Sequence, residues 1–300
     1  MSKRKDGSVG PWAREKLATL HDYLSAYTTT LKNQTWCAGT IYVDAFAGPG
    51  RAPLRTKTPI VNQADALADT QRLVDYIKGS PRVALEIPTP FSRYVFVEQH
   101  TKRRAELQRL QAEFGVARNI AIAPGDANAV LAKRILNAGI DWRSHRAVVF
   151  LDPFGMQVPW NTLVALAGTG AIEVIISFPV GMAIQRVLTR SASITPGRRA
   201  KLDTYFGSSE WYDLVYETTH DLLGPRTDKV ADAAGRLLYW YRQRLKAAFG
   251  HVSEAQLITN TKGGHLYYLI WAGPHPLGLQ IANAVLTRGK RATAARQRHR

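Results

Sequence analysis

The chain has 300 residues and a single cysteine, Cys37. One thiol excludes an intramolecular disulfide, a zinc site built from several thiolates and a three-cysteine iron–sulfur site within the chain. Histidine is scarce as well, because the 8 histidines include no pair at the spacing of two metal ligands on a predicted helix. We therefore predict no catalytic metal.

The sequence also lacks any apolar run that approaches the roughly 18 residues needed to span a bilayer. Its first residues, Met1 to Gly10, are charged and do not contain the apolar region of a signal peptide. With 45% hydrophobic and 21% charged residues, the composition is that of a globular protein. These features predict a cytoplasmic protein that does not contact a membrane.

Acidic residues are in short supply, since 23 Asp and Glu stand against 40 Lys and Arg and the formal charge is +17. An acid-free basic tail runs from Arg288 to Arg300, and a second acid-free stretch lies between Glu173 and Asp203. Nucleic acid gains free energy from counterion release on such surfaces. The alternative is a solvated tail and an ordinary surface segment. The predicted substrate-binding residues in the second stretch are Arg186, Arg190, Arg198, Arg199 and Lys201.

Short apolar runs alternate with amphipathic segments along most of the chain, which is typical of a doubly wound α/β fold with a largely parallel sheet. The predicted strands cover residues 40–45, 93–98, 119–123, 147–152 and 171–178. The predicted helices cover residues 12–32, 101–114, 127–138 and 160–167. Near the C-terminus, residues 255–261 and 265–272 form a predicted hairpin, followed by a helix over residues 276–287.

Two segments interrupt this alternation. Residues 52–90 contain five prolines and one helical pattern near 60–77, which indicates an insertion after the first strand. Residues 182–235 are basic and partly helical, which indicates a mixed insertion after the fifth strand. We predict one domain over residues 1–287 and a disordered tail over 288–300, with both insertions facing the substrate because loops on a rigid scaffold often carry specificity.

The first predicted strand ends in a glycine-rich turn, Asp44 to Gly50. Glycine lets the backbone turn sharply and a ligand approach closely. Three more acids, Glu98, Asp126 and Asp152, follow later strands, and ligands of open α/β sheets bind at the carboxyl ends of strands. The alternatives are an ordinary structural turn and helix caps, and Asp126 is a good N-cap candidate.

These acids suit the parts of an adenosine ligand and of a target base. Glu98 can accept from both ribose hydroxyls, and Asp126 from the exocyclic amine of adenine. Asp152 opens a loop in which Phe154 can stack on a base while the base amine donates to the carboxylate. The predicted cofactor-binding residues are Asp44, Phe46, Ala47, Gly48, Pro49, Gly50, Glu98, Gln99, Asp126 and Ala127, and the predicted catalytic residues are Asp152, Pro153 and Phe154.

This set of motifs resembles the class I S-adenosylmethionine-dependent methyltransferases, whose first motif has the Asp-x-Phe-x-Gly-x-Gly pattern seen here. More narrowly, the chain is similar to the three-Cys-motif partner proteins, a bacterial and phage family named for a neighbouring three-cysteine protein. The matching phrases are Tyr42 to Arg51, Gly79 to Pro81, Phe150 to Gly155, Leu266 to Ala272 and His275 to Gly278. The resemblance implies S-adenosylmethionine as cofactor, a seven-stranded Rossmann-like sheet with an antiparallel strand from the final hairpin, and a three-cysteine protein as partner.

Methyltransferases that act on exocyclic amines of adenine or cytosine use an Asp/Asn-Pro-Pro-aromatic loop. The loop from Asp152 to Gly155 has one proline fewer, so Phe154 comes one position early. Methylation at cytosine C5 needs a cysteine nucleophile, and Cys37 lies before the first strand. We therefore predict methyl transfer to an exocyclic amine of DNA or RNA.

Two other functions fit the same residues. One is a non-catalytic or assisting subunit that binds the cofactor or nucleic acid for a modification enzyme encoded nearby. The other is a nicotinamide dehydrogenase on a similar fold. Binding of S-adenosylhomocysteine but not NAD would separate the methyltransferase from the dehydrogenase.

Overall fold

The computed structural model describes residues 12–53, 76–221, 224–260 and 263–286. Its strands are β1 (Gly39–Asp44), β2 (Arg51–Pro53), β3 (Tyr76–Lys78), β4 (Arg93–Val97), β5 (Ile120–Ala123), β6 (His145–Leu151), β7 (Ile172–Phe178), β8 (Tyr216–Asp221), β9 (Gly224–Lys229), β10 (His251–Val252), β11 (Gln256–Thr259) and β12 (His265–Gly273). Its helices are α1 (Trp12–Leu31), α2 (Ser80–Leu85), α3 (Thr101–Phe114), α4 (Ala127–Leu131), α5 (Trp160–Ala167), α6 (Gln185–Val187), α7 (Pro196–Phe206), α8 (Trp211–Val215), α9 (Ala233–Phe249) and α10 (276–286).

The main sheet has eight strands in the order β10-β12-β7-β6-β1-β4-β5, with β11 also paired to β12. Strands β5, β4, β1, β6 and β7 are parallel to one another, and β12 is antiparallel to β7. The chain therefore has the Rossmann-like α/β fold of the class I methyltransferase type, as the sequence predicts. The eighth strand arises because β10 and β11 pair with opposite ends of β12.

Both faces of the sheet are covered, which explains the continuous apolar character of its strands. In β1, Ile41 and Val43 contribute to one core and Tyr42 to the other. Helix α1 packs its Leu20 and Leu24 into the second of these cores. Successive strand residues thus point to opposite faces, and both faces are buried.

The first insertion joins β2 and β3, which form an antiparallel pair. The helical pattern predicted near 60–77 lies outside the described residues except at its end, where Tyr76–Lys78 is a strand rather than a helix. The predicted tail over 288–300 also lies outside the described residues.

The second insertion combines short helices with a β-hairpin. After a π-helical turn over Val180–Ile184, it forms α6, α7, α8 and the antiparallel pair β8 and β9. The sequence did not indicate this hairpin, because its strands are largely polar and most of their residues are exposed or half-buried. The helix predicted over 127–138 also changes character, since α4 ends at Leu131 and a π-helical turn, Ala132–Leu136, follows.

Within the described ranges, none of the helices combines the length and the apolar composition that crossing a bilayer requires.

Candidate active site

The structure brings the four predicted acids to one edge of the sheet. Asp44 is the last residue of β1, and its register partners are Phe96 in β4 and Phe150 in β6. Glu98 directly follows β4 and Asp152 directly follows β6. Because these strands are parallel, the acids share the carboxyl edge of the sheet, together with Asp126 after β5. Their roles in binding a ligand stay predictions.

The glycine-rich turn leaves its backbone open. Gly48 and Gly50 have φ angles of 62° and 72°, in the left-handed region that favours glycine. A Cβ atom at Gly48 would meet no atom within 4 Å, so there is open space beside this turn. The Gly79 amide donates to the Gly50 carbonyl at 2.8 Å, and a Cβ at Gly79 would lie 2.6 Å from the Gly50 carbonyl carbon. Gly79 therefore packs directly against the backbone of the turn, where a larger residue would not fit.

Asp44 is fully buried beneath this turn. Its carboxylate accepts from the Phe46 amide at 3.3 Å and from the Tyr42 hydroxyl at 3.4 Å. Burial raises the pKa of Asp44 to about 7 although a hydrogen bond from Ser80 opposes the rise, and the nearby Asp152 carboxylate adds to it. Asp44 therefore changes protonation near neutral pH.

The carboxylate of Asp152 has a donor on each oxygen. The Ser177 hydroxyl, from β7, donates to Oδ1 at 2.7 Å. The Lys16 ammonium, from α1, forms a short ion pair with Oδ2. Burial by itself would lower the pKa of Lys16, but the Asp152 carboxylate raises it above its ordinary value. Lys16 is therefore charged, and its charge is directed at the predicted amine acceptor.

Sequence reasoning missed Lys16 because a lysine beside an apolar stripe is usually solvated. In the structure, Leu20, Tyr23 and Tyr27 form a buried row along one face of α1. Lys16 lies one turn before Leu20, so it extends this row into the site. Its ammonium also lies 5.3 Å from the centre of the Tyr267 ring and 5.9 Å from that of Phe150. A lysine in register with a buried row is the signal that could have identified it.

Glu98 is 8% exposed and accepts from the His100 amide at 2.7 Å. The guanidinium of Arg103, in α3, lies 3.8 Å from the other carboxylate oxygen and 5.8 Å from the ring centre of Phe154. Phe154 itself is 74% exposed, while the adjacent Pro153 is buried. Arg103 therefore connects the predicted ribose acceptor to the predicted stacking ring.

Asp126 caps a helix, as the alternative interpretation held. Its Oδ1 accepts from the amides of Asn128 at 2.9 Å and Ala129 at 3.1 Å, at the start of α4. The Asn128 side chain donates to the Gln157 carbonyl at 2.9 Å, so this cap is tied to the loop that carries Phe154. A role for Asp126 toward adenine remains a prediction, and it would have to coexist with the cap.

The other predicted cofactor residues differ in their burial. Ala47 is buried, and its amide donates to the Val97 carbonyl at 3.0 Å, which fixes the turn to β4. Phe46 and Pro49 are half-buried, and Gln99 is exposed. Ala127 is buried in the core below α4, so only its backbone lies near the edge.

The five predicted substrate-binding cations are all exposed in the described structure. The segment that carries them starts at the carboxyl end of β7, and Ala183 at its beginning lies near Gly155 of the Asp152 loop. Arg199 stacks on Tyr212, with 4.4 Å from its guanidinium carbon to the ring centre. The aromatic clusters in this region are mainly structural, since Trp211 and Tyr241 are fully buried.

In the part of the chain that the structure describes, no group of three or more His, Cys, Asp and Glu side chains is arranged to hold a metal ion.

No protein-family model matches the sequence, and no curated protein matches it either. Among solved structures, protein LPL1258 of Legionella pneumophila, described under the family model DUF519, aligns over 90% of both chains with 13% identity and a TM-score of 0.49. A candidate methyltransferase of Escherichia coli, yhhF, aligns over 84% of this chain and 86% of its own with 12% identity and a TM-score of 0.32. A candidate rRNA methylase of Clostridium thermocellum aligns over 69% of this chain and 96% of its own, with 12% identity and a TM-score of 0.29. These likenesses are distant, and the fold assignment rests on the strand order and directions of the sheet itself.

Proposed function

We propose that the chain is an S-adenosylmethionine-dependent methyltransferase that modifies an exocyclic amine of a nucleic-acid base. The observation that carries this proposal is the Asp152 carboxylate, which lies at the same sheet edge as Asp44 and Glu98 and is held by Lys16 and Ser177. The exposed ring of Phe154 stands two residues away. An oriented acceptor beside an exposed aromatic ring is what an amine on a flipped base requires.

The residues at the turn fit the cofactor. Glu98 is buried at the end of the second parallel strand, where a carboxylate can accept from a ribose diol. The open space beside Gly48 lets a ligand approach the backbone closely. When bound, S-adenosylmethionine supplies an electrophilic methyl group on a positively charged sulfur, and the acidic residues at this edge suit that charge.

Asp152 can orient the target amine although Lys16 and Ser177 already contact it. A carboxylate has about four lone-pair positions, so an amine N–H can share an oxygen with either donor. Bound S-adenosylmethionine would supply the methyl group, and this hydrogen bond would orient the lone pair of the amine nitrogen toward it. Asp152 would also be placed to accept the proton that the amine nitrogen loses.

The exposed cations Arg186, Arg190, Arg198, Arg199 and Lys201 are proposed to hold the nucleic-acid backbone. The segment that carries these cations follows the carboxyl end of β7, the strand that also contains Ser177. A three-cysteine-motif protein is the proposed partner, and it is supported by the motif resemblance alone.

A second candidate function is a non-catalytic subunit that binds the cofactor or nucleic acid for another enzyme. The specific observation in its favour is that each oxygen of Asp152 already has a donor. In that case the ion pair with Lys16 is structural, and it closes the position that an amine would occupy.

The test is methyl transfer to DNA and RNA by the wild-type chain, Asp152→Ala and the matched control Asp141→Ala, each with and without the neighbouring three-cysteine protein. Asp141 is an exposed acid in the turn before β6, at the opposite edge of the sheet from the site. We expect Asp152→Ala to lose roughly 100-fold or more in rate while calorimetry shows unchanged binding of S-adenosylhomocysteine and no binding of NAD.

Full activity of Asp152→Ala would exclude the catalytic assignment. Transfer that never appears, while S-adenosylhomocysteine still binds, would instead favour the subunit. Mass spectrometry of nucleosides from cells that express the protein with its genomic neighbour, compared with cells that lack it, identifies the base and distinguishes DNA from RNA.

A further inference from the structure

A cavity of about 430 Å³ opens at the amino edge of the sheet, opposite the site described above. It lies between the C-terminal end of α1, the starts of β6 and β7, and the beginning of α10. Its volume is in the range of pockets that hold small organic ligands. None of the residues predicted from sequence to bind the cofactor or act in catalysis lines it.

The floor of this cavity contains a buried acid with neutral partners. Glu173 is 6% exposed, and its Oε2 accepts from the Tyr23 hydroxyl and from the Trp271 indole N–H, the latter at 3.2 Å. In the described chain no Lys, Arg or His nitrogen lies within ion-pair distance of it. Burial raises the pKa of Glu173 to about 7. Above that pH the group is mainly a carboxylate, which accepts hydrogen bonds.

Beside Glu173, Tyr27 lines the cavity and is 5% exposed. Its hydroxyl is buried and has no hydrogen-bond partner among the residues that the structure describes. Native structures rarely leave such a group unsatisfied. An occupant that hydrogen-bonds the hydroxyl would remove this penalty.

The rim of the cavity is aromatic and positive. Trp36 is 46% exposed, and the Arg146 guanidinium stacks on it with 4.4 Å from its carbon to the ring centre. The N-terminus of α10 contributes His275 and Leu277 to the same rim. A guanidinium and a helix N-terminus favour an anion and disfavour a positively charged ligand such as an alkylammonium ion.

We propose that this cavity binds a nucleotide whose base carries an exocyclic amine next to a ring nitrogen, as cytosine and adenine do. Glu173 accepts from the amine, Tyr27 donates to the ring nitrogen, and Trp36 provides a stacking surface. The phosphate lies toward Arg146 and the start of α10. A neutral base with adjacent donor and acceptor matches the acid and the unpaired hydroxyl, and the anionic phosphate matches the positive rim. The site is independent of the proposed methyl transfer.

The test is calorimetry of the full chain with cytidine monophosphate, with uridine monophosphate as the matched probe that lacks the amine. Cytidine is preferred because an adenine nucleotide would also enter the proposed cofactor site. We expect cytidine monophosphate to bind at least roughly tenfold more tightly than uridine monophosphate, because the wrong base leaves buried polar groups unpaired. Equal affinities, or no binding of either nucleotide, would overturn the proposal.

Two variants locate the binding. Tyr27→Phe removes only the unpaired hydroxyl, so the variant should fold. We expect its affinity for cytidine monophosphate to be roughly threefold to tenfold lower than that of the wild type. Glu98→Ala, at the other edge, should leave that affinity unchanged. The reverse pattern would place the nucleotide in the cofactor site and contradict the proposal.

A short oligonucleotide with a terminal cytosine separates the two sources of such a base. Tighter binding than the mononucleotide, weakened by Tyr27→Phe, would identify the end of a nucleic acid as the ligand. Oligonucleotide binding that is insensitive to this variant, together with mononucleotide binding that is sensitive, would identify a free nucleotide.

Discussion

Asp44 and Glu173 are buried carboxylic acids at opposite edges of one sheet, and burial raises the pKa of both to about 7. Their neighbours differ. Near Asp44 lie a buried lysine and a second acid, Lys16 and Asp152, which form an ion pair. Glu173 is held by the neutral donors of Tyr23 and Trp271. Burial is therefore the largest cause of the raised pKa of each acid, although the neighbouring groups also act on it. An ion pair lies beside Asp44, whereas Glu173 is hydrogen-bonded by neutral groups and is affected by the Arg146 charge at the rim.

This difference bears on what each edge can bind. The carboxyl edge concentrates fixed charges at the end of the parallel strands, which suits a charged cofactor and a reacting amine. The amino edge combines one acid of variable protonation with an unpaired hydroxyl and aromatic side chains, which suits recognition of a neutral ring. If the two edges differ in charge and in the ligands they bind, substitutions at each edge should have different effects.

The largest expected effect comes from Lys16→Met. It leaves the Asp152 carboxylate without its cation in a partly buried position, and breaking a buried pair from one side costs about 3–5 kcal/mol. We expect a loss of about that size in the free energy of unfolding at pH 8, measured by urea denaturation. Lys133→Met, at an exposed position, is the control and should stay within about 0.5 kcal/mol of wild type. An unchanged stability for Lys16→Met would show that the carboxyl edge is not organised by this ion pair.

The next effect concerns pH. Because Asp44 and Glu173 have raised pKa values, the folded state binds more protons than the unfolded state between about pH 4 and 7, and stability falls as pH rises through that window. At 1.36 kcal/mol per pKa unit, the rise from 3.8 to about 7 at Asp44 contributes roughly 4 kcal/mol to this fall, and the rise from 4.5 to about 7 at Glu173 contributes roughly 3 kcal/mol. Glu173→Gln should therefore flatten the pH dependence and raise stability at pH 8.

Asp44→Asn should flatten the same window, and the pair of variants compares the two edges directly. Thermal unfolding from pH 4 to 8 is the measurement. If only one variant changes the pH profile of stability, the acid at the other edge has an ordinary pKa. The two acids would then be alike in burial but not in protonation.

A smaller effect is expected from two glycines, one at each edge. A Cβ at Gly79 would meet the Gly50 backbone at 2.6 Å, and a Cβ at Gly278 would lie 2.6 Å from the Trp271 ring and 2.7 Å from Glu173 Oε1. Each alanine substitution should destabilise by about 1–3 kcal/mol through overpacking. Gly79→Ala should weaken the binding of S-adenosylhomocysteine and leave the binding of cytidine monophosphate unchanged. Gly278→Ala should weaken the binding of cytidine monophosphate and leave that of S-adenosylhomocysteine unchanged. Calorimetry with both ligands checks this, and a variant that weakens both would show that the edges are coupled.

The smallest effect is expected from a single surface arginine. Arg198→Gln, in the basic segment, should lower the slope of log affinity for nucleic acid against log salt by about 1, since one phosphate contact is lost. Arg134→Gln, an exposed arginine elsewhere, is the control and should leave the slope unchanged. Equal slopes for both variants would mean that the basic segment is an ordinary solvated surface.

Much of the fold could be predicted because its elements follow local periodicity. The predicted helices over 101–114 and 160–167 coincide with α3 and α5, and the predicted strands agree with the structure to within two residues at each end. The hairpin of β8 and β9 could not be predicted, since most of its residues are polar and, apart from Tyr216, lie outside the apolar cores. Local pattern thus identifies elements that pack on the main core and fails for those that do not.

The α/β architecture, the glycine-rich turn and the shared edge of the four acids follow from sequence pattern, because strand periodicity and the parallel connection rule place strand ends together. The pairing of Lys16 with Asp152, 136 positions along the chain, and the hydrogen bond from Ser177 to the same carboxylate are visible only in the folded chain. The same is true of the cavity that Glu173 and Tyr27 line together. Side-chain contacts between distant segments depend on how helices pack on the sheet, and no local pattern records that packing.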